Sequence, residues 1–465
     1  MTSHLVFDVA LTPADKVVLS NLANDIALTE ESKGSTSSTS FSGADVRIHD
    51  VKQAGAKQPG MARRHSTTQG DSSLTYLEEK TAHDDGKDIA QLKATNDPNH
   101  PDFEPAVFSS VDLRDLHLPA FVDTYLLKPY ISWASNVVRN KTDVIMLTHL
   151  LIYASTSIPS ALYLFYNFTY KHAILHVAMQ FWYMGAYTLL MHQHIHARGV
   201  LAKRFNLIDK SFPFILDPLM GHTWNTYYYH HVKHHHVEGN GPEDLSSTMR
   251  YQRDEFKDFL QYFGRFFIAI WIELSLYFLR KKRPAMALGV MCSELGTYAL
   301  YYAASCINAR ATVFVFLLPV MVMRFALMVG NWGQHAFVDT EQPDSDFRSS
   351  ITLVDVASNR FCYNDGYHTS HHLNPLRHWR DHPVSFLQQK ETYVKEGALV
   401  FHNIDYVMIT IRLFMKDYET LAKCLVPIGD QVHLSMEDRV ALLKRLTRRF
   451  TEEELREKYP NYKST

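Results

Sequence analysis

Four long apolar runs dominate the middle of the chain. Residues 144–166 carry no formal charge, and neither do 173–191. The run 285–307 carries one charge, Glu294, and 311–330 carries one, Arg324. At 1.5 Å rise per residue each run is about long enough to cross a hydrocarbon core. A fifth stretch, 256–279, has apolar residues at 256, 259, 260, 263, 267, 270, 271 and 274, interrupted by Lys257, Asp258, Arg265 and Glu273. That stripe predicts a helix lying in the membrane interface. The basic groups Lys141, Arg198, Lys203-Arg204 and Arg280-Lys281-Lys282-Arg283 flank the runs. Four spans and one interfacial helix put all of them on the cytoplasmic side, with both termini. Counting 256–279 as a span would send the Arg280 cluster to the far side.

The expected fold class is therefore all-α: an integral membrane protein with four transmembrane helices, an interfacial helix and a cytoplasmic helical cap. Residues 1–104 are polar and rich in Ser, Thr, Gly and Asp, which predicts a disordered or weakly ordered extension. Residues 105–142 read as an amphipathic cytoplasmic lead-in, 143–385 as the membrane domain, and 386–465 as a helical cytoplasmic region. Ser435-x-x-Asp438 and Thr451-x-x-Glu454 have the form of helix capping boxes. Glu294 lies 13 residues before the end of its run and Arg324 lies 13 after the start of the next. An antiparallel hairpin would bring them to equal depth, where intramembrane charges usually pair.

Composition adds two exclusions. The net charge of −2 is unlike the basic excess of a nucleic-acid binder. Four cysteines without a C-x-x-C exclude a disulfide scaffold and a thiolate zinc ribbon. Histidine points the other way, with 26 residues, fifteen of them between His192 and His382.

They fall in clusters. His192 and His196 are four apart at the end of the second run, so on a helix they share a face while His194 points away. His230, His231, His234, His235 and His236 crowd into seven positions, followed by Pro242-Glu243-Asp244. His368, His371 and His372 again converge on one helix face, and Asn331-x-x-x-His335 follows the fourth run. All sit at span ends on one predicted face. About nine neutral imidazoles are too many for one ion and fit two. A metal pair beside a membrane suggests oxygen chemistry on a lipid-soluble substrate, since removing hydrogen from an unactivated carbon needs a strongly oxidising metal centre.

These boxes and the hydropathy resemble the membrane fatty acid desaturase and hydroxylase superfamily over roughly residues 143–385. His231-x-x-x-His235-His236 six residues before Pro242-Glu243-Asp244, Asn331-x-x-x-His335, and His368-x-x-His371-His372-x-x-Pro375 are similar to the membrane alkane hydroxylase branch. The resemblance implies a non-haem centre of two iron ions, O2 as co-substrate and an external two-electron supply. Carried over position by position, the implied iron ligands are His192, His196, His231, His235, His236, His335, His368, His371 and His372. No catalytic residue beyond these ligands is implied. Glu243, Asp244 and Asn331 are candidates to orient imidazoles through their second ring nitrogen. No His-Pro-Gly-Gly haem motif occurs, so the electrons are expected from a separate cytochrome b5-type protein with its reductase.

The second box has two registers. His231-x-x-His234-His235 fits the common desaturase spacing, and His231-x-x-x-His235-His236 fits the spacing to Pro242-Glu243-Asp244. The second is favoured, which makes His234 an outer residue. On an α-helix His235 would lie over His231, and His236 would face elsewhere. The expected activity is O2-dependent desaturation of a fatty acyl or related lipid chain, with hydroxylation or acetylenic-bond formation as the alternative. The expected location is the endoplasmic reticulum membrane. A zinc transporter with a histidine-rich loop is the alternative of another class. It would need polar ligands within its spans, where the first two runs hold only His149 and His176 as histidines.

Overall fold

The computed structural model describes residues 12–34, 85–103, 105–108, 118–460 and 462. These are mostly helical. Helices Val144–Tyr166 and Tyr170–Ala197 form an antiparallel pair. The Thr169 side chain caps the second helix by accepting the backbone N–H of His172. Ser157 donates to Gln180 between them at 2.7 Å, a buried polar tie inside this apolar pair.

The stretch Pro284–Gln334 is the most apolar in the chain. It is not one rod. Asn308 leaves the helical region at φ −153°, ψ 97°, and the chain folds back there into helix Leu318–Gln334. Tyr301 stacks on Phe316 at 5.2 Å across the turn. Glu294 and Arg324, which a straight helix would hold about 45 Å apart, meet at 2.6 Å. The expected hairpin pair is thus present. Glu294 is fully buried and also accepts from Thr223 and Tyr298.

Among the described residues, three stretches are long and apolar enough to cross a membrane: Lys141–Tyr166, Phe256–Arg280 and Pro284–Gln334. The set differs from the expected runs at two points. Tyr170–Ala197 is not among them, because Lys171, Gln180 and five histidines dilute its apolar character. Phe256–Arg280 is among them, because its charges gather near its ends apart from Arg265 and Glu273, which pair at 3.1 Å. One end of Phe256–Arg280 packs on the second box and the other on the helix that leads to His335. Phe259 packs on Trp332 at 5.4 Å, and Tyr277 packs on His234 at 4.2 Å.

The all-α expectation needs one correction. Ile351–Val354 (β1), Leu399–His402 (β2) and Leu425–Val426 (β3) form a small sheet in the order β1-β2-β3, parallel and then antiparallel. Each strand is too short to show a two-residue period, and every position is buried, so the hydropathy pattern carries no alternation to read. The sheet also crosses the boundary expected at 385. Ile351, Leu353, Phe401, Leu421 and Leu443 share one core, so 386–465 does not fold apart from the membrane domain. Both C-terminal capping boxes are formed. In the segment read as a lead-in, residues 120–137 are helical and expose Phe121, Tyr125 and Trp133.

The expectation of weak order over 1–104 is corrected in two places. Helix Pro13–Gly34 inserts Val18, Leu19, Leu22 and Ile26 into a core with Val354, Tyr367 and Phe386. A second helix, 85–96, adds Leu92. Local composition is polar in both, and a short apolar stripe against a distant partner surface decides the outcome. Residues 35–84 of that segment lie outside the described residues.

The buried ion pair generates a quantitative expectation. Removing one partner of a buried pair typically costs about 3–5 kcal/mol because the other charge is left uncompensated. Glu294→Gln and Arg324→Gln should each lower the thermal midpoint strongly, while the double variant should fall short of their sum. Additive losses in detergent-solubilised protein would show that the two side chains are energetically independent.

Candidate metal centre

Four segments deliver the histidines. The C-terminal end of Tyr170–Ala197 presents His192 and His196 one turn apart, with ring centroids 4.8 Å from each other. His335 follows the last turn of Leu318–Gln334. Helix His368–Leu373 carries His368, His371 and His372. The second box lies on Tyr228–His235, which is a π-helix.

That π-helix changes the facing of the box. Its i→i+5 hydrogen bonds bring residues five apart over one another. His231 and His236 therefore meet, Nε2 to Nε2 at 3.1 Å, and His235 turns to a different neighbourhood. The α-helical expectation that His231 and His235 share one face is corrected on this ground. The expectation that His236 faces away from His231 is corrected on the same ground, and His235 and His236 fall in different imidazole groups.

Two groups of imidazoles result. His192, His196, His231, His236 and His371 bring ligand nitrogens within 4.8 Å of one another. His235, His335, His368 and His372 do the same. All nine residues singled out in the sequence are in one group or the other. His194 instead contacts the backbone carbonyl of Asp209. In the first group His192 Nε2 lies 2.8 Å from His231 Nε2 and 3.0 Å from His371 Nε2, and His371 lies 2.8 Å from His236. In the second, His368 Nε2 lies 3.1 Å from His335 Nε2. His372 Nε2 and both ring nitrogens of His196 are buried without a protein partner.

The donor set fits a metal pair. Burial, reinforced by the neighbouring imidazoles, holds His231, His335, His368 and His371 well below the ordinary histidine value. They are neutral near pH 7 and offer lone pairs. Outer groups fix which nitrogen points inward. His335 Nδ1 donates to the Ser349 carbonyl at 2.8 Å, leaving Nε2 free toward the cluster. His235 Nδ1 is 2.7 Å from the Asp244 carboxylate. Burial alone would raise Asp244, yet His235 and His234 beside it hold it well below the usual carboxylate range.

The four outer candidates separate. Asp244 orients His235 directly. Asn331 donates to the Ser246 carbonyl and the Tyr262 hydroxyl, and Ser246 Oγ lies 3.3 Å from His235, so Asn331 acts at one remove. Glu243 pairs with Lys281 at 2.5 Å and touches no imidazole in the clusters, which corrects that expectation. His234 Nε2 accepts from the Leu245 backbone N–H at 2.8 Å and belongs to neither cluster. With His230 and Asp244 it forms a third group near the second cluster. The Ser349 carbonyl and Asp346, 3.5 Å from His372, have no sequence signal, because a carbonyl belongs to every residue and an isolated Asp has no spacing.

A cavity of about 550 Å³ runs from the clusters toward the hairpin. Phe181, Met184, Leu189, Phe266, Ile270 and Met323 line its length, with His192, His231 and His368 in its wall. Such a shape fits a long apolar chain lying against the histidines.

The separation of His236 from His234 is directly checkable. His236→Ala should empty the five-imidazole group, measured as metal per chain in purified protein. His234→Ala should leave metal content near the wild-type value. The reverse pattern would establish the other register of the second box.

The family model described as fatty acid desaturase matches residues 170–402, half of the chain and all four histidine-bearing segments. No curated protein and no solved structure matches the chain. With the histidine layer and the apolar helices in place, the match over half its length is decisive: the chain belongs to the fatty acid desaturase family.

Proposed function

We propose that this oxidoreductase is a membrane di-iron enzyme that uses O2 to introduce a double bond into a fatty acyl or related lipid chain. The observation that carries the proposal is that two buried imidazole groups, of five and four, both contribute to the wall of one mostly apolar cavity. His192, His196, His231, His236 and His371 would hold one iron, and His235, His335, His368 and His372 the other. A bound iron pair with O2 supplies the oxidising power that hydrogen removal from an unactivated carbon demands.

The chain's own residues do the rest. Phe181, Met184, Phe266 and Met323 exclude water and confine the acyl chain to an extended path past His192 and His231. Confinement of the chain beside the ligands fixes which carbons lie within reach. Asp244 and the Ser349 carbonyl hold His235 and His335 in one tautomer. Family membership favours a lipid substrate and gives no support to the zinc transporter.

Four spans with cytoplasmic termini follow if the Pro284–Gln334 hairpin contributes two and Tyr170–Ala197 completes the first pair. Phe256–Arg280 then lies in the interface, a reading supported by the packing of Tyr277 on His234 at one end and of Phe259 on Trp332, three residues before His335, at the other. The proposed location is the endoplasmic reticulum, with the clusters on the cytoplasmic side. There a cytochrome b5-type carrier and its reductase would supply electrons.

Expression in a host lacking its own desaturase, with mass spectrometry of total lipids, tests the reaction. Desaturation gives a product lighter by two hydrogens than its precursor. A product heavier by one oxygen would replace this proposal with hydroxylation. Purified protein should turn over only when carrier and reductase are added. Turnover with reduced nicotinamide and O2 alone would contradict the external carrier.

A further inference from the structure

The N-terminal helix Pro13–Gly34 lies outside the matched family region, yet one of its side chains reaches the base of the third histidine box. Asp15 is fully buried. Its carboxylate accepts from the Tyr367 hydroxyl at 2.7 Å and from Asn359 Nδ2 at 3.1 Å. Its own backbone N–H donates to Thr12 Oγ1 at 3.1 Å. Tyr367 immediately precedes His368 and begins the hydrogen bonding of the third-box helix, its carbonyl accepting from the His371 N–H at 3.0 Å.

The loop below Tyr367 is equally constrained. Asn359 Oδ1 accepts from the Gly366 N–H at 2.8 Å, and Asn359 Nδ2 donates to the Leu353 carbonyl at 3.0 Å. A Cβ at Gly366 would come within 2.4 Å of Asn359 Oδ1 and 2.6 Å of the Leu353 carbonyl oxygen. The segment therefore has no slack, and the Asp15 carboxylate closes it from beneath. Helix docking by itself does not call for a buried acid. Val18, Leu19, Leu22 and Ile26 already supply the apolar contact, and burying a carboxylate is costly unless it is hydrogen-bonded. A separate polar tie, Lys390 with Asp25 at 2.6 Å and Asp85 at 2.5 Å, anchors the two N-terminal helices elsewhere.

We infer that Asp15 is a positioning residue for the metal centre: through Tyr367 it sets the position of His368 and so tunes the four-imidazole group. The inference rests on the reading of His235, His335, His368 and His372 as a metal site. It makes the N-terminal helix a working part of that site. The effect is selective. Two members of the four-imidazole group, His368 and His372, lie on the helix that Tyr367 leads into, and His368 Nε2 meets His335 Nε2 at 3.1 Å, whereas of the other group only His371 lies on that helix.

A cobalt(II) titration of the purified full-length chain, followed by visible absorption, tests this without turnover. Wild type should fill two sites. Asp15→Ala should weaken one of them by about 10-fold, the low end of what outer-sphere partners of metal ligands contribute, and leave the other unchanged. Tyr367→Phe, which removes a single hydroxyl and retains the ring, should do the same. Asp15→Asn, which keeps an acceptor for Tyr367, should restore most of the affinity. Val18→Ala serves as the control that loosens the same helix, lowering the thermal midpoint with both affinities kept. Equal weakening of both sites by Asp15→Ala and Tyr367→Phe would reduce Asp15 to a general fold contact and overturn the inference, as would unchanged affinity at both. A wild-type chain that binds no pair of ions would refute the metal-centre reading itself, and the inference with it.

Discussion

Imidazole nitrogens that approach to 2.8–3.1 Å need a proton or a cation between them, and here several such approaches share common atoms. That convergence is the constraint on which the rest of the structure depends. Neutral rings supply lone pairs, burial keeps them neutral, and packing keeps them from turning aside. The four segments that carry them come from opposite ends of the central half of the chain. Bringing them together requires the helix pair, the hairpin and the small sheet to close on one layer. The apolar cavity ends at that layer because the same helices that deliver the histidines also form its walls.

The π-helix at Tyr228–His235 shows how local backbone geometry serves that convergence. An α-helix would point His231 and His235 into one group and leave His236 outside. Widening the turn by one residue pairs His231 with His236 and frees His235 for the other group, so adjacent residues fall in two imidazole groups. Asp244 then fixes His235 from outside, with Ser246 and Asn331 behind it. The histidine-poor side of the box has its own role, since His234 binds the Leu245 backbone and packs on Tyr277, which seats Phe256–Arg280 beside the layer.

Charge buried away from the clusters follows the same economy of satisfied partners. Glu294 and Arg324 join the two arms of the hairpin, and the Thr223 hydroxyl ties Glu294 to the segment leading into the second box. Asp143 accepts from Trp379 Nε1 at 3.0 Å and lies 2.9 Å from His378, joining the start of the first long helix to the chain just beyond the third box. Asp15 does the corresponding work from the N-terminus. In each case a carboxylate with several donors links elements far apart in sequence, and each link ends near a histidine-bearing segment.

The sequence alone determined the nine histidines, their grouping into boxes, the apolar runs and both C-terminal caps, because each is a matter of residue type at short spacing, and it implied the hairpin ion pair because Glu294 and Arg324 stand equally far from the turn between their runs. It also favoured the register that includes His236, through the downstream Pro242-Glu243-Asp244. Only the tertiary structure decided how nine imidazoles divide into five and four, since that depends on a π-helical turn with no periodic signature of its own. The same is true of the sheet, whose strands of two to four residues are buried at every position, and of the core shared across residue 385. Glu243 stands apart from the two imidazole groups because Lys281, 38 residues further on, claims its carboxylate. The N-terminal helix was hidden for a related reason. Its residues look too polar to fold by themselves, and they order because Val18, Leu22 and Asp15 meet partners more than 330 residues further along the chain.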